Sequence, residues 1–348
     1  MIAGKVKSEK EYREIENDSS SSLKVFLEDR KKYYKIYVAK EKVKDEDDQT
    51  KATIMGSLVD CLIFEKDQFD NKFHLSSLSK APTGKMLDFC NALVRIRREA
   101  IENGVEKSFE EIAKEARVAA DFSWKLETIL SNFSGKDPEI YFNELITVED
   151  KGLTVVDLND VSNAEKIVEE LLTNEVTSWI LNLKTNDRYI IFNQYKLEYF
   201  QVDELDMKAM MDKVVIDRKN KTIQIYDLKC VWNVEDFYES YYLYRKSYIQ
   251  AYVYKEAAYE LRDLLELDGY TVENPKFIVS DSINYYKPLI YTLDNRDIQD
   301  AYSGFSHKGK KYTGVKDVIL DLKWAKENNE WRISRKNALN GGIVNIKS

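Results

Sequence analysis

Hydrophobic and polar positions alternate between residues 211 and 229 in the pattern of a β-hairpin. Two alternating apolar runs flank a polar stretch at 217–222, which has the composition of a turn. Placing Ile216 opposite Ile223 aligns the apolar positions of both strands on the same faces. The sequence therefore predicts an antiparallel hairpin with this register.

Similar patterns predict the other elements of the chain. Apolar positions at helical spacing predict helices at 19–39, 56–65, 108–119, 122–132, 163–183, 236–266 and 317–328. Alternation predicts further strands at 189–201, 276–281 and 288–293. Loops are predicted at 40–51 and 75–84. Helices followed by three strands, a helix and more strands are typical of an α/β core with a mixed sheet.

The hairpin register brings three charged residues together. It places Asp212 opposite Asp227, and opposed residues of paired strands have Cβ atoms roughly 4.5–5.5 Å apart. Two carboxylates at that distance repel each other unless a cation lies between them. Lys229 shares the face of Asp227, because side chains two positions apart on a strand point the same way. The arrangement predicts a divalent metal site with a lysine beside it.

The tripeptide Asp-x-Lys is not informative by itself, because it recurs in this chain. Asp321-Leu322-Lys323 repeats the three letters of residues 227–229. It lies in the predicted helix 317–328, where residues two apart point in different directions. Only the copy in the hairpin therefore predicts a site.

Composition narrows the classes of protein and of metal. The chain has 348 residues, of which 43% are hydrophobic and 33% charged, so it can bury a sizeable core. No apolar run approaches the ~18 residues of a membrane span, and no signal peptide is evident, so we expect a soluble, cytoplasmic protein without a membrane partner. Three isolated cysteines and two histidines argue against zinc, iron–sulfur and Ser-His-Asp sites. A metal here would be Mg²⁺ or Mn²⁺ bound by oxygens.

The net charge of −8 argues mildly against a protein that coats nucleic acid, but it is compatible with a nuclease that has a local basic surface. The candidate phosphate contacts are Lys80, Lys85, Lys208 and the lysines of 308–311. The alternative for each is an ordinary solvated surface lysine.

The predicted helix 236–266 carries a further pair of candidates. Gln250 and Tyr254 are four residues apart and therefore lie on one face. Tyr254 has core packing as an alternative, because the helix contains eight tyrosines. A glutamine among them is less readily explained by packing.

As a set, these residues resemble the PD-(D/E)xK nuclease superfamily. Asp212, Asp227-Leu228-Lys229 and then Gln250 and Tyr254 are similar to the branch with a Gln-x-x-x-Tyr motif, which includes RecE- and lambda-type phage exonucleases and RecB-type nuclease domains. Two other stretches also resemble RecE-like domains: Ser-Ser-Leu-Lys at 21–24 leading to the tyrosines at 33–34, and the helix at 56–65. The resemblance covers roughly residues 20–75 and 185–260.

The resemblance implies a restriction-endonuclease-like α/β core with a mixed central sheet flanked by helices and an N-terminal helical elaboration. It implies one domain over 1–348, made of a mainly helical region at 1–183, the catalytic sheet and long helix at 184–300, and a C-terminal helical extension at 301–348.

Roles for individual residues are also implied. Asp212 and Asp227 would bind the metal with the carbonyl of Leu228, and Lys229 would stabilise the transition state. Gln250 and Tyr254 would position the DNA or the lysine.

The chain departs from the family pattern at three positions. Asp60 stands where the family has a histidine, and Gln194 stands where many relatives have a glutamate. Both remain candidate metal ligands, because each carries a side-chain oxygen. Cys230 replaces the threonine that commonly follows the lysine.

The activity that this resemblance implies is metal-dependent hydrolysis of double-stranded DNA from an end, as in phage-type recombination and repair with 5′-to-3′ resection. A single-strand annealing protein as partner and a ring-shaped homo-oligomer are also implied. Two alternatives stay open: an endonuclease on the same core, and a catalytically impaired, nuclease-derived protein that binds or regulates DNA.

Overall fold

The computed structural model describes residues 8–41, 50–149 and 151–344. It has a mixed central sheet flanked by helices, so the predicted α/β fold class is confirmed. Most of the predicted loop 40–51 lies outside the described residues.

Helices predominate before residue 189, and most of the strands lie after it. The α-helices are α1 (Glu9–Glu14), α2 (Ser20–Glu28), α3 (Arg30–Tyr33), α4 (Lys51–Phe64), α5 (Phe69–Lys72), α6 (Lys85–Glu102), α7 (Phe109–Ala119), α8 (Leu126–Phe133), α9 (Asp137–Glu149), α10 (Leu158–Thr173), α11 (Ser178–Leu181), α12 (Ser247–Leu264), α13 (Asn295–Ser303), α14 (Val315–Asn328) and α15 (Arg335–Leu339). The strands are β1 (Phe73–Leu75), β2 (Thr154–Val156), β3 (Tyr189–Val202), β4 (Leu205–Asp217), β5 (Thr222–Val231), β6 (Thr271–Val272), β7 (Lys276–Asp281), β8 (Leu289–Thr292), β9 (Phe305–His307) and β10 (Lys310–Tyr312).

The central sheet has the order β3-β4-β5-β7-β8, and β6 pairs with the start of β5. Strands β3, β4 and β5 form an antiparallel meander, whereas β5 and β7 are parallel. A parallel connection needs a crossover, and the chain supplies it with α12 between β5 and β7. The carboxyl-terminal half of β5 therefore lies in the centre of the sheet and beside a helix.

The predicted hairpin register is confirmed. Ile216 pairs with Ile223, and the same register continues to the pair formed by Lys213 and Tyr226. The paired stretch between β4 and β5 ends there, one position before the two aspartates. From Tyr226 onward β5 pairs with β7.

Two predicted helices are interrupted where a side chain caps the backbone. The predicted helix 19–39 ends at Glu28, and Asp29 starts the next turn by accepting hydrogen bonds from the N–H groups of Lys31 and Lys32. A short π-helical stretch follows at 34–38. The predicted helix 163–183 corresponds to α10, which begins earlier at Leu158, and α11. They are separated by residues 174–177, where Asn174 Oδ1 accepts a hydrogen bond from the N–H of Val176. Such caps compete with helix continuation, and a search for apolar spacing does not detect them.

The predicted helix 236–266 is also interrupted. Residues 238–244 form a π-helical segment, and α12 begins at Ser247. Between them Lys246 adopts a left-handed conformation with φ 56°. This conformation breaks a helix, and it is uncommon for a residue with a side chain.

Other predictions agree more closely. Helix α7 begins with the capping box of Ser108 and Glu111 and ends at Ala119, as predicted. Strands β3, β7 and β8 match their predicted positions to within one or two residues. Helix α8 begins at Leu126, four residues later than predicted. Helices α6 and α9 were not predicted.

The described residues form two compact units, one made of residues 8–41 and 169–344 and the other of residues 50–168. The predicted helical region 1–183 is thus divided between them. The first unit contains the central sheet, and its core includes Leu23, Val214, Ile225 and Val253. In this unit, α12 contacts α2 and strands β3, β4 and β5.

The second unit is mainly helical. Its core is formed by α6 to α9 around aromatic residues such as Phe89 and Phe133, which meet edge to face. Strands β1 and β2 form a short parallel pair in this unit. No helix in the described part of the chain is long and apolar enough to cross a membrane.

Candidate active site

The sheet unit brings five of the predicted site residues together. Asp212 lies in β4, Asp227 and Lys229 lie in β5, and Gln250 and Tyr254 lie on one face of α12. All five belong to residues 169–344 of one unit.

Asp212 is a buried acceptor at the point where β4 and β5 separate. Its Oδ2 accepts a hydrogen bond of 2.9 Å from the backbone N–H of Leu228, and its Oδ1 accepts one of 3.3 Å from the Gln194 amide. Gln194 lies in β3 with an unusual φ of 46°, and its side chain is buried. The predicted hairpin placed Asp212 directly opposite Asp227. In the structure the pairing of β4 with β5 ends one position earlier, so the two aspartates are not an opposed strand pair. The carboxylate of Asp212 instead binds the backbone next to Asp227.

Asp227 and Lys229 form an ion pair across one face of β5. The Lys229 Nζ lies 2.5 Å from Oδ2 of Asp227, and Asp227 is only 1% exposed. Among the described residues this Oδ2 has no hydrogen-bond partner, so the contact with Lys229 is close but not aligned as a hydrogen bond. Such a buried carboxylate oxygen has capacity left for a further cation.

Gln250 connects the sheet to the helix. Its Nε2 donates to Oδ1 of Asp227 at 2.8 Å and to the hydroxyl of Tyr254 at 2.9 Å. The Tyr254 hydroxyl in turn donates to the carbonyl of Met210 at 2.6 Å. The amide orientation follows from these partners, because the opposite orientation would set the amide oxygen against the carboxylate. Gln250 therefore holds Asp227 in one position.

Burial dominates the electrostatics of the acids. Desolvation raises the pKa of Asp212 well above its usual value, and the charge of Asp227 raises this pKa further. Lys229 opposes both effects. Burial also raises the pKa of Tyr254 well above its usual value, so its phenol stays protonated and can donate. A cation beside the acids would lower the cost of keeping both ionised.

The donor set fits a hard divalent cation. Asp212 and Asp227 offer carboxylate oxygens, Gln194 offers an amide oxygen, and Leu228 offers a backbone carbonyl next to Asp227. Mg²⁺ is often bound by one or two carboxylates, with waters and substrate phosphates completing its shell. Within the described residues no group of three or more His, Cys, Asp or Glu side chains forms a metal cluster. Asp60 lies in α4 of the other unit, and its role as a ligand stays a prediction.

Lys24 is a site residue that the sequence analysis did not identify. It lies in α2, and its Nζ is 3.4 Å from Oε1 of Gln250. Burial lowers the pKa of Lys24 to about 7, and the positive charge of Lys229 lowers it as well. A signal existed in the sequence, since Lys24 ends the Ser-Ser-Leu-Lys stretch at 21–24 that resembles RecE-like domains. The partner helix, however, lies more than 200 residues away along the chain.

The predicted phosphate contacts have different surroundings. Lys208 is buried, and its ammonium donates to the carbonyls of Tyr12, Arg13 and Ile15 at 2.6–3.1 Å. These three bonds use all the donors of an ammonium group, so Lys208 holds the end of α1, and its contact with phosphate stays a prediction.

Lys80 and Lys85 are exposed residues of the helical unit. Lys85 donates to the carbonyl of Ala120 at 2.9 Å. In the 308–311 stretch, Lys308 pairs with Glu239 at 2.6 Å. Contacts of these lysines with phosphate stay predictions.

Comparison with known proteins gives limited similarity. No family model matches the chain, and no curated protein is significantly similar to it. A crystal structure of a candidate exonuclease from Eubacterium rectale aligns with 99% of this chain and 96% of its own, at 13% identity and a TM-score of 0.47.

Proposed function

We propose that this chain is a metal-dependent DNA nuclease that hydrolyses phosphodiester bonds from the end of a duplex. The observation that carries the proposal is the buried Asp227, which Lys229 and Gln250 contact from two sides beside Asp212. Two adjacent buried acids, one of which contacts a lysine, suit phosphate chemistry. The acids can bind a metal cation, and both this cation and the lysine ammonium can then contact the same phosphate group.

Hydrolysis forms a bond between a water oxygen and phosphorus and breaks one bond between phosphorus and an ester oxygen. A divalent cation at Asp212 and Asp227, with the Leu228 carbonyl and Gln194 as further candidate ligands, would supply charge neutralisation and promote ionisation of the water. Lys229 donates to the phosphate as negative charge develops on its oxygens. Gln250 and Tyr254 keep Asp227 oriented through their hydrogen bonds.

The finer parts of the proposal follow from the sequence resemblance. They are a RecE-like, phage-type role in DNA recombination, double-stranded DNA as substrate, Mg²⁺ or Mn²⁺ as cofactor, a single-strand annealing protein as partner, a ring-shaped homo-oligomer and a place in the cytoplasm.

One assay tests the activity and its dependence on ends. Linear and closed circular duplexes of the same sequence are incubated with Mg²⁺, with Mn²⁺, with Ca²⁺ and with excess EDTA. We expect loss of the linear duplex with Mg²⁺ or Mn²⁺, little turnover with Ca²⁺ and none in EDTA. Nicking of the closed circle would favour the endonuclease. Full activity in EDTA, or no cleavage by folded protein with any metal, would overturn the proposal.

A further inference from the structure

Three lysines from distant parts of the chain make neighbouring contacts: Lys229 pairs with Asp227, Lys24 contacts Gln250, and Lys246 pairs with Glu28, one turn after Lys24 on α2. Lys24 comes from α2, Lys229 from β5, and Lys246 immediately precedes α12. The charges that act on the ammonium of Lys24 are those of Lys229, Asp227, Lys246 and Glu28. Lys229 and Lys246 thus both add positive charge around Lys24, in a chain whose net charge is −8.

The three positive charges of this group exceed the two negative charges, Asp227 and Glu28, that act on Lys24 with them. Like charges at short range repel, and partial burial reduces the screening by water. The side chains of Lys229 and Lys246 are only 23% and 20% exposed. Two carboxylates, Asp227 and Glu28, face the three lysines, and the carboxylate of Asp227 is shared with the site of the acids. A further anion would balance the group.

The geometry leaves Lys24 and Lys246 able to bind such an anion. The contact from Lys24 to Gln250 is long, at 3.4 Å, and an ammonium has three donors, so others can face a ligand. Lys246 pairs with Glu28 at 2.5 Å, but the Glu28 side chain is 59% exposed. Because water already solvates the Glu28 carboxylate, another anion can replace it as the partner of Lys246.

We propose that Lys24 and Lys246 form a binding subsite for one backbone phosphate of a nucleic-acid strand, next to the phosphate that faces Lys229. Lysine binds phosphate as a point charge and tolerates variation in geometry, which suits a strand that advances through the site. The inference rests on the proposed function for the identity of the reacting phosphate, and it adds a subsite that binds without reacting.

The test is binding of a short DNA duplex in EDTA, measured by fluorescence anisotropy at several salt concentrations. Lys24→Gln and Lys246→Gln each remove one charge and keep most of the side chain. We expect each to raise the dissociation constant about three- to tenfold and to lower the slope of log affinity against log salt by about 1. Glu28→Gln frees Lys246 and is expected to strengthen binding. Lys323→Gln, which removes a lysine paired with Glu204, is the matched control and is expected to change neither quantity.

A second readout separates positioning from folding. In single-turnover cleavage with the metal present, Lys24→Gln and Lys246→Gln are expected to need more DNA for half-saturation but to reach nearly the wild-type rate, and Lys24→Arg is expected to restore binding. Thermal midpoints identify any variant that unfolds. Wild-type affinity and salt slope in both glutamine variants, or no binding of the duplex by the wild-type protein, would overturn the subsite. Cleavage is a separate result: binding with the expected slopes but no hydrolysis would retain the subsite and remove the nuclease proposal.

Discussion

The chain contains the tripeptide Asp-Leu-Lys twice, and the two copies have different surroundings. Asp227 and Lys229 lie on β5 and form an ion pair of 2.5 Å in which the acid is 1% exposed. Asp321 and Lys323 lie on α14, and their described hydrogen bonds go to different groups. A strand places alternate side chains on one face, whereas a helix rotates them by about 200° over two residues.

The partners of the helical copy show what this difference does. Asp321 accepts hydrogen bonds from Arg30 and from the backbone N–H of Arg335. Lys323 donates to Glu204 at 2.7 Å and to the carbonyl of Asp203 at 3.2 Å. Each charge of this copy therefore joins α14 to a neighbouring segment. The strand copy instead brings its acid and its lysine together beside Asp212, as a metal and phosphate site requires.

The largest expected difference between the copies is in their acids. Asp227→Asn should lower the rate of cleavage by at least about 10³-fold, because it replaces a negatively charged carboxylate that would bind the metal with a neutral amide. Asp212→Asn should have a similar effect. Both should keep their fold, since the amide has nearly the same shape. The readout is single-turnover cleavage of a linear duplex together with the thermal midpoint.

Asp321→Asn is the control for that experiment. We expect nearly wild-type cleavage and a modest loss of stability, because the pairing with Arg30 is weakened. If Asp227→Asn turned over DNA normally while Asp321→Asn did not, the assignment of the site to β5 would be wrong.

The lysines give the next largest difference. Lys229→Ala should slow the chemical step by about 10²–10³-fold, the scale for loss of one electrostatic stabiliser of the transition state. Lys323→Ala should change this rate very little, because its ammonium pairs with an exposed glutamate far along the chain. Single-turnover rates at saturating DNA measure both. Inactivation by Lys323→Ala without unfolding, with Lys229→Ala active, contradicts the hairpin-based site.

Two tyrosines on α12 allow a matched test of whether the hydrogen bonds of Gln250 position Asp227. Tyr254→Phe removes the hydroxyl that accepts from Gln250 and donates to Met210, so we expect cleavage to fall by about tenfold as Asp227 loses its fixed orientation. Tyr259→Phe removes a hydroxyl from a 37% exposed ring and should leave cleavage unchanged. Equal effects of the two substitutions on rate would show that the Gln250 network has no positioning role.

The smallest expected effect is on stability and its pH dependence. An acid whose pKa is raised on folding binds more protons in the folded state, so its contribution to stability falls as the pH rises above the ordinary carboxyl value. The pKa of Asp212 is raised by burial and then by the charge of Asp227. In EDTA, Asp227→Asn should therefore raise the thermal midpoint by about 1–3 °C near neutral pH, and by less in acid. Thermal melts between pH 5 and pH 8 measure this, and an unchanged or lower midpoint at neutral pH contradicts the repulsion between the acids.

Much of the central sheet could be predicted from the sequence. The register of β4 and β5 and the positions of β3, β7 and β8 agree with the alternation of apolar residues. This works because a one-residue shift would turn every apolar side chain of a strand to the wrong face. The cap at Ser108 was equally local, since its partner lies three residues away.

Other features depended on contacts that no local pattern contains. Lys208 is an ordinary lysine of a strand by sequence, and only the packing of α1 shows that its donors are all in use. The break at Lys246 interrupts a stretch with good helical spacing. The partners of Lys208 lie more than 190 residues away in the sequence, and the break at Lys246 is a conformation of the backbone. Neither feature follows from the local spacing of apolar residues.

The sequence by itself determined the register of β4 and β5 as far as the pair of Lys213 and Tyr226, and the face of β5 that Asp227 and Lys229 share, because strand geometry is periodic and short-range. Only the tertiary structure decided that Asp212 binds the backbone of Leu228 and that Gln250 connects Asp227 to Lys24. The physical reason is that α2, the sheet and α12 come together through burial of apolar surface. The hydrophobic effect is nondirectional, so the pattern of apolar residues in the sequence does not specify which polar groups come into contact.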